Sequence, residues 1–231
     1  MGIKVSGCYF GNKSPSFYFD GSTYGYLYNF LVISNIKGIA SAGWHVPTIT
    51  DQNFLIDAGE YHDGVGYSGG ACKYTGYTFW YSPNTGATNN LSFNGIGAGL
   101  RTYTGDFLSF KHYGEFWIDS SVGTDAYSFE LFRTGVNIGS LLSSQQNGYS
   151  IRLVKDYTDL SAGQTGIYTG NDGKVYPTIA MKKNHTEVEE WMSMNLAETK
   201  YNDLTDIVYG QDVGIWTSNV IGAYCYHTDW I

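Results

Sequence analysis

The sequence predicts an α+β, strand-rich fold of short antiparallel sheets, one or two short helices and long loops rich in glycine and tyrosine. Three observations predict it. The 231 residues include 30 Gly, 21 Tyr, 12 Phe and 6 Trp but only 4 Pro, and 15% are charged. Glycine supplies turn backbone, whereas aromatic rings favour strands and half-buried surfaces. Apolar residues alternate with polar ones in short runs, as at Tyr127, Phe129 and Leu131, the period of a strand with one face in a core. Helix-start signals, by contrast, occur only twice.

Taken in order, Tyr24 to Ile33 is dense in aromatic and branched residues and reads as a strand covered on both faces. Pro47 disfavours helix at the residue before it, and Thr48 with Asp51 has the spacing of a capping box, so a helix is expected over about 49–58, with Phe54, Leu55 and Ala58 inward and Gly59 ending it. Residues 63–105 are glycine-rich and hold no period, with isolated aromatic runs such as Phe79-Trp80-Tyr81; they read as long loops with short strands. Strands are expected again at 115–118, 126–132 and 149–154. The polar stretch 156–173 reads as a linker, 174–181 as a strand, and Thr186 to Thr199 as a second helix capped by Thr186 and Glu189. The expected organisation is a domain over 1–156, a linker over 157–173 and a further segment over 174–231.

Composition excludes several classes of function. A net charge of −8 and no basic stripe argue against nucleic-acid binding, and no run reaches the roughly 18 apolar residues of a membrane span. Cys8, Cys72 and Cys225 are too scattered for a disulfide framework or a zinc site. Met1 to Ser16 lacks the apolar core of a secretory signal, and Gly2 with Ser6 fits only the outline of a myristoylation motif. His45, His62, His112, His185 and His227 belong to no catalytic signature, so the expectation is a protein that is not an enzyme and has no cofactor. Asp20-Gly-Ser and Asn171-Asp-Gly are oxygen-rich but read as turns rather than calcium loops.

Several segments resemble the Fibrobacter succinogenes major paralogous domain, a family whose fold is related to C-type lectins and to the formylglycine-generating enzymes. Tyr24-Gly-Tyr-Leu-Tyr-Asn29 resembles its Tyr-Gly-x-Leu-Tyr-Asn strand, and Gly43-Trp-His-Val-Pro-Thr48 its Gly-Trp-His-Val-Pro motif before a helix. Gly99-Leu-Arg101, Gly105-Asp-Phe107, Gly114-Glu-Phe-Trp117 with Ser120-Ser121, and Gly148-Tyr-Ser-Ile-Arg152 are similar to later motifs of the family. The resemblance implies a C-type-lectin-like fold and structural roles for Tyr24, Gly25, Asn29, Trp44, His45, Pro47, Arg101, Trp117, Arg152, Trp191 and Asn195. The cysteine chemistry of the formylglycine-generating relatives does not carry over to Cys72 or Cys225. The last third resembles the family in the wrong order: Asp172 to Thr178, Trp191 to Leu196, Lys200 to Asp203 and Gly222 to Tyr226 resemble segments that normally precede the Tyr-Gly-x-Leu-Tyr-Asn strand. A circular permutation, the start of a second repeat, and a segment that completes a neighbouring subunit all account for this.

Tyr, Ser, Gly and Asn dominate the loops, the chemistry of adaptable recognition surfaces. Because lectin-like folds display ligands on loops, Tyr103, Phe110, His112, Tyr113, Tyr127 and Asn137 are the expected ligand-binding residues. The expected setting is a virion: a phage head- or tail-fibre component, homo-oligomeric as a trimer or dimer with exchanged segments, contacting other virion proteins and a host-surface glycan or protein. A fragment of a bacterial cell-surface adhesin and a loop-diversified ligand-binding protein are the alternatives.

Overall fold

In the computed structural model, residues 23–210, 212–216 and 222–226 are described. The leader and myristoylation readings, Cys8, Asp20-Gly-Ser and His227 lie outside them. The first elements among the described residues are β1 (Tyr26–Tyr28) and a single helical turn, α1 (Phe30–Ile33), followed by β2 (Trp44–His45), α2 (Ile49–Asp63) and α3 (Ser68–Cys72). Strands β3 (Leu100–Arg101), β4 (Phe107–Leu108), β5 (Tyr113–Val122), β6 (Asp125–Phe132) and β7 (Gly139–Ser144) come next. After β8 (Val154–Lys155) the chain forms β9 (Thr165–Thr169), β10 (Val175–Lys182), β11 (Val188–Met192), β12 (Val208–Tyr209), α4 (Val213–Trp216) and β13 (Ala223–Tyr226). This is the strand-rich α+β class expected.

The strands form an antiparallel meander β5-β6-β7, a five-stranded sheet of order β2-β8-β11-β10-β9, the pair β3-β4, and the sheet β1-β13-β12, in which β12 and β13 run parallel. Two apolar clusters hold the layers together. One gathers Tyr28, Trp117, Tyr149, Ile151 and Leu196; the other presses Phe54 and Leu55 of α2 onto Phe116, Phe129 and Trp191.

The capping box at the start of α2 is present: the Asp51 carboxylate accepts from the Thr48 N–H at 2.6 Å, and the Thr48 hydroxyl accepts from the Asp51 N–H at 3.4 Å. The helix runs on to Asp63, past the expected stop at Gly59. Gly59 serves packing instead, because a Cβ there would lie 2.6 Å from the Ser68 Cα as α3 crosses. Of the strand expected over 24–33 only 26–28 is extended, since Asn29 turns the chain into α1. Residues 149–153 are buried but meet their neighbours through isolated bridges at Tyr149 and Ser150, so only 154–155 is a strand.

Two further expectations fail for non-local reasons. Residues 165–169, read as linker, form β9 and pair along β10 from Thr169↔Val175 to Thr165↔Ile179. Thr186 to Thr199 is not a helix: the Asn184 carboxamide accepts from the N–H groups of Thr186 and Glu187, both at 2.8 Å, and builds the turn that feeds β11 back along β10. Glu189, expected to cap that helix, accepts from the Trp191 indole N–H at 2.9 Å instead.

The described residues between 174 and 226 pack onto their own chain. β13 pairs antiparallel with β1, with Tyr28 opposite Tyr224. Asn29 clamps the end of this pairing: its side-chain oxygen Oδ1 accepts from the Ala223 N–H at 2.9 Å, and its backbone N–H donates to the Ala223 carbonyl at 3.0 Å.

Candidate functional site

The residues that match family motifs converge on this junction. Arg152 is fully buried and spends its guanidinium on Asn195 Oδ1 (2.7 Å) and the carbonyls of Phe93 (2.6 Å), Met192 (3.0 Å) and Asn94 (3.1 Å). Asn195 in turn donates to the Tyr24 carbonyl (2.9 Å) and the Ser150 hydroxyl (3.1 Å). Gly25, at φ +71°, admits the Asn195 side chain, whose Cβ would sit 2.5 Å from any Cβ at that position. Trp117 donates to the Tyr28 carbonyl at 2.7 Å, and Trp191 is buried. Arg101 lies 4.4 Å from the centroid of Trp216 and donates to the carbonyls of Gly105 (3.2 Å) and Gly210. These side chains hold backbone together.

His45 does the same with charge. Doubly protonated, it donates Nδ1–H to Asp156 at 2.7 Å and Nε2–H to Asp51 at 3.2 Å. The bond to Asp51, reinforced by Asp156, outweighs partial burial and raises its pKa to about 9. Trp44 beside it packs edge-on against Tyr168, and the Pro47 carbonyl accepts from the Asp119 N–H at 2.7 Å. With both nitrogens engaged, the imidazole ties β2, α2 and the residue after β8 together. Asn171, from the oxygen-rich turn, is also structural: it donates to the carbonyls of Ile39 and Lys200 and accepts from Ser41.

The loops present a different chemistry. Tyr74, Tyr77, Tyr81 and Tyr113 are exposed, and half-buried Phe79, Phe110 and His112 lie among them. Tyr74 meets Phe79 edge-on at 4.9 Å, Phe79 meets Tyr24 at 5.6 Å, and Tyr24 meets Phe110 at 5.1 Å. Tyr81 meets His112 at 5.3 Å, while the Lys111 ammonium lies 5.8 Å from the Tyr81 centroid and 5.7 Å from that of Phe110. Arg133 donates Nε–H to His112 Nδ1 at 2.9 Å, which puts the imidazole proton on Nε2.

Buried anchors make this surface rigid. Trp80, between exposed Tyr81 and half-buried Phe79, is fully buried and donates to the Gly95 carbonyl at 3.0 Å. Lys73, 1% exposed, gives its three ammonium protons to the carbonyls of Thr85, Gly135 and Phe132 at 2.7, 2.7 and 3.1 Å, and burial lowers its pKa to about 8. Asn84 donates to the carbonyls of Tyr74 and Gly76. Ser109 and Lys111 hold left-handed backbone at φ +64° and +57°, a conformation uncommon for residues with a side chain. Gly97 lets them approach, since a Cβ there would be 2.7 Å from the Lys111 Cα.

Of the six expected binding residues, Phe110, His112 and Tyr113 come together here. Tyr103 is exposed near α4, where its N–H donates to Asn147. Tyr127 is half-buried on β6 against the α2 cluster, and Asn137 is exposed where the chain passes Gly69 of α3. The sequence reading missed Tyr74, Tyr77, Tyr81, Lys111 and Arg133; the aromatic run at 79–81 was the available signal.

The molecule is thus a strand-rich α+β domain whose motif residues are spent on its scaffold and whose loops carry an aromatic, cation-bearing surface. The chain belongs to the family of the Fibrobacter succinogenes major domain, whose model matches residues 13–155. No curated protein and no solved structure matched it.

Proposed function

We propose that this protein is a non-catalytic adhesion module of C-type-lectin-like fold, working as a homo-oligomeric phage fibre component that grips a host-surface glycan or protein. The observation that carries this reading is the aromatic loop surface in which Tyr74, Phe79, Tyr24 and Phe110 make a chain of ring contacts, the Lys111 ammonium lies near both Phe110 and Tyr81, and Tyr77 and Tyr113 are exposed on the same loops and strand start. Such rings offer contact area with few rotatable bonds, and their faces stack on sugar rings or receive aromatic side chains. A cation above them adds attraction for anionic groups. Engagement of both His45 nitrogens, Arg152 and Lys73 in structural bonds supports a scaffold role for the charged groups.

A glycan array probed with the full chain tests the reading. Wild type should give saturable signals that fall at least about tenfold in a Tyr77→Ala/Tyr81→Ala double variant, each ring contributing about 1 kcal/mol or more, with the thermal midpoint unchanged. A retained signal in that variant overturns the assignment of this surface. Antibody labelling of intact phage particles tests the setting; labelling confined to bacterial cell surfaces overturns it.

A further inference from the structure

A concave feature is lined by residues other than those of the aromatic surface. It is a cavity of about 190 Å³ between the last turn of α2, loop 90–92, the turn at 162–163 and the second half of β10. That is below the roughly 300–1,000 Å³ of pockets that enclose drug-sized ligands, and so suits a single ring. Leu91, Ile179 and Met181 are buried and form an apolar floor, while His62, Asn90 and Ser92 are exposed on the rim beside half-buried Lys182.

The rim groups are unspent. Among the described residues, the His62 ring nitrogens and the Ser92 hydroxyl bond to no polar group, and Ser92 holds left-handed backbone at φ +53°. Asn90 donates its side-chain amide Nδ2–H to Asp63 at 2.6 Å, leaving its side-chain oxygen Oδ1 to accept. Asp63, the nearby carboxylate, also takes the Thr88 hydroxyl. Lys182 is the cation of this rim. Lys37, Lys155, Lys174, Lys183 and Lys200 all pair with carboxylates, and Lys73 with carbonyls. Among the described residues the Lys182 ammonium, like that of Lys111, pairs with no carboxylate; it lies 5.5 Å from the Tyr61 ring, with His62 and His185 edge-on to that same ring. An unneutralised cation in a chain of net charge −8, at the mouth of an apolar-floored cleft rimmed by hydroxyl and amide groups, defines its complement.

We infer that this cleft binds one acidic sugar residue, a pyranose carrying a carboxylate. Its apolar face lies on Ile179 and Met181, its hydroxyls meet Ser92 and Asn90, and its carboxylate meets Lys182 and His62. The inference deepens the adhesion reading by naming a ligand class, but it uses a separate set of residues.

Titrating the full chain with D-glucuronate, methyl glucoside and acetate, followed by ¹H–¹⁵N shifts at 62, 92 and 182, tests it. Glucuronate should saturate, with methyl glucoside and acetate each at least about fivefold weaker because each lacks half of the contacts. Lys182→Gln should weaken glucuronate by a similar factor, with an unchanged thermal midpoint, and Tyr77→Ala/Tyr81→Ala should leave it unaltered. The inference is overturned if glucuronate fails to saturate, if acetate binds as tightly, or if Lys182→Gln binds as wild type does. Any of these results leaves the array signal and its loss on removing Tyr77 and Tyr81 as an independent readout of the aromatic surface.

Discussion

Glu115 offers the sharpest quantitative test of the core. It sits in β5, is 4% exposed, lies opposite Glu130 across the β5–β6 pair, and one of its carboxylate oxygens has no hydrogen-bond partner. Burial, with Glu130 adding to it, raises its pKa from 4.5 to about 8. An acid whose folded pKa lies above its unfolded value is bound to its proton more tightly in the folded state, so it costs nothing below about pH 4.5 and destabilises increasingly as pH climbs toward 8. With roughly 1.4 kcal/mol per unit, the cost is of order 1 kcal/mol at pH 5.5 and of order 4–5 kcal/mol at pH 8.5. Glu115→Gln keeps the neutral shape and abolishes the titration, while its second amide proton is left unbonded at a cost of about 1–3 kcal/mol. The variant should therefore be near wild type or weaker at pH 5.5, yet gain about 3 kcal/mol on it by pH 8.5. Urea melts of both proteins at several pH values between these limits, with m compared to verify that the unfolding reaction is unchanged, measure this difference directly. A wild-type-to-variant gap that stays constant across the range would refute the buried, protonated carboxyl.

Two other perturbations test the scaffold. Gly59→Ala should lose about 2 kcal/mol or more in the same melts despite the better helix propensity of alanine, because its Cβ would meet the Ser68 backbone at 2.6 Å; a gain in stability would mean that α3 yields. His45→Gln should cost about 1–2 kcal/mol at pH 6, discounted for an imidazole about a third exposed. Because the folded pKa is raised from 6.5 to about 9, that loss should fade as pH rises through 9; a pH-independent loss would mean that shape, not charge, is what His45 supplies.

Local signals in the sequence were faithful where the structure is local. Thr48 and Asp51 do form the capping box, and the alternation at Tyr127, Phe129 and Leu131 does mark a strand whose odd positions face α2. The same capping spacing at Thr186 and Glu189 misled because Asn184, two residues upstream, commits the backbone to a turn and β10 lies within reach to pair. Gly59 shows the converse: a stop signal on a helix face is indistinguishable, in one dimension, from a gap left for a crossing helix. Three members of the aromatic surface, Phe110, His112 and Tyr113, were legible. The rest depends on Trp80 turning inward while Tyr81 stays exposed and Phe79 half-buried, in a loop without periodicity, and on three carbonyls from distant segments meeting at Lys73.

The pairing of β1 with β13 also sets a timetable. Tyr28 finds its partner at Tyr224, about 200 residues later, so at roughly 5–20 residues per second of synthesis β1 waits about 10–40 s for the strand that covers it. Through that interval the edge of Tyr26–Tyr28 that β13 covers and the Asn29 clamp stand open, and for a shorter part of it, the 43 residues from Arg152 to Asn195, the Arg152 guanidinium lacks its side-chain partner. Closing so long a loop comes late in folding, and the order in which this chain carries its motifs becomes a vulnerability in time: anything that offers a strand before Ala223 arrives competes with β13.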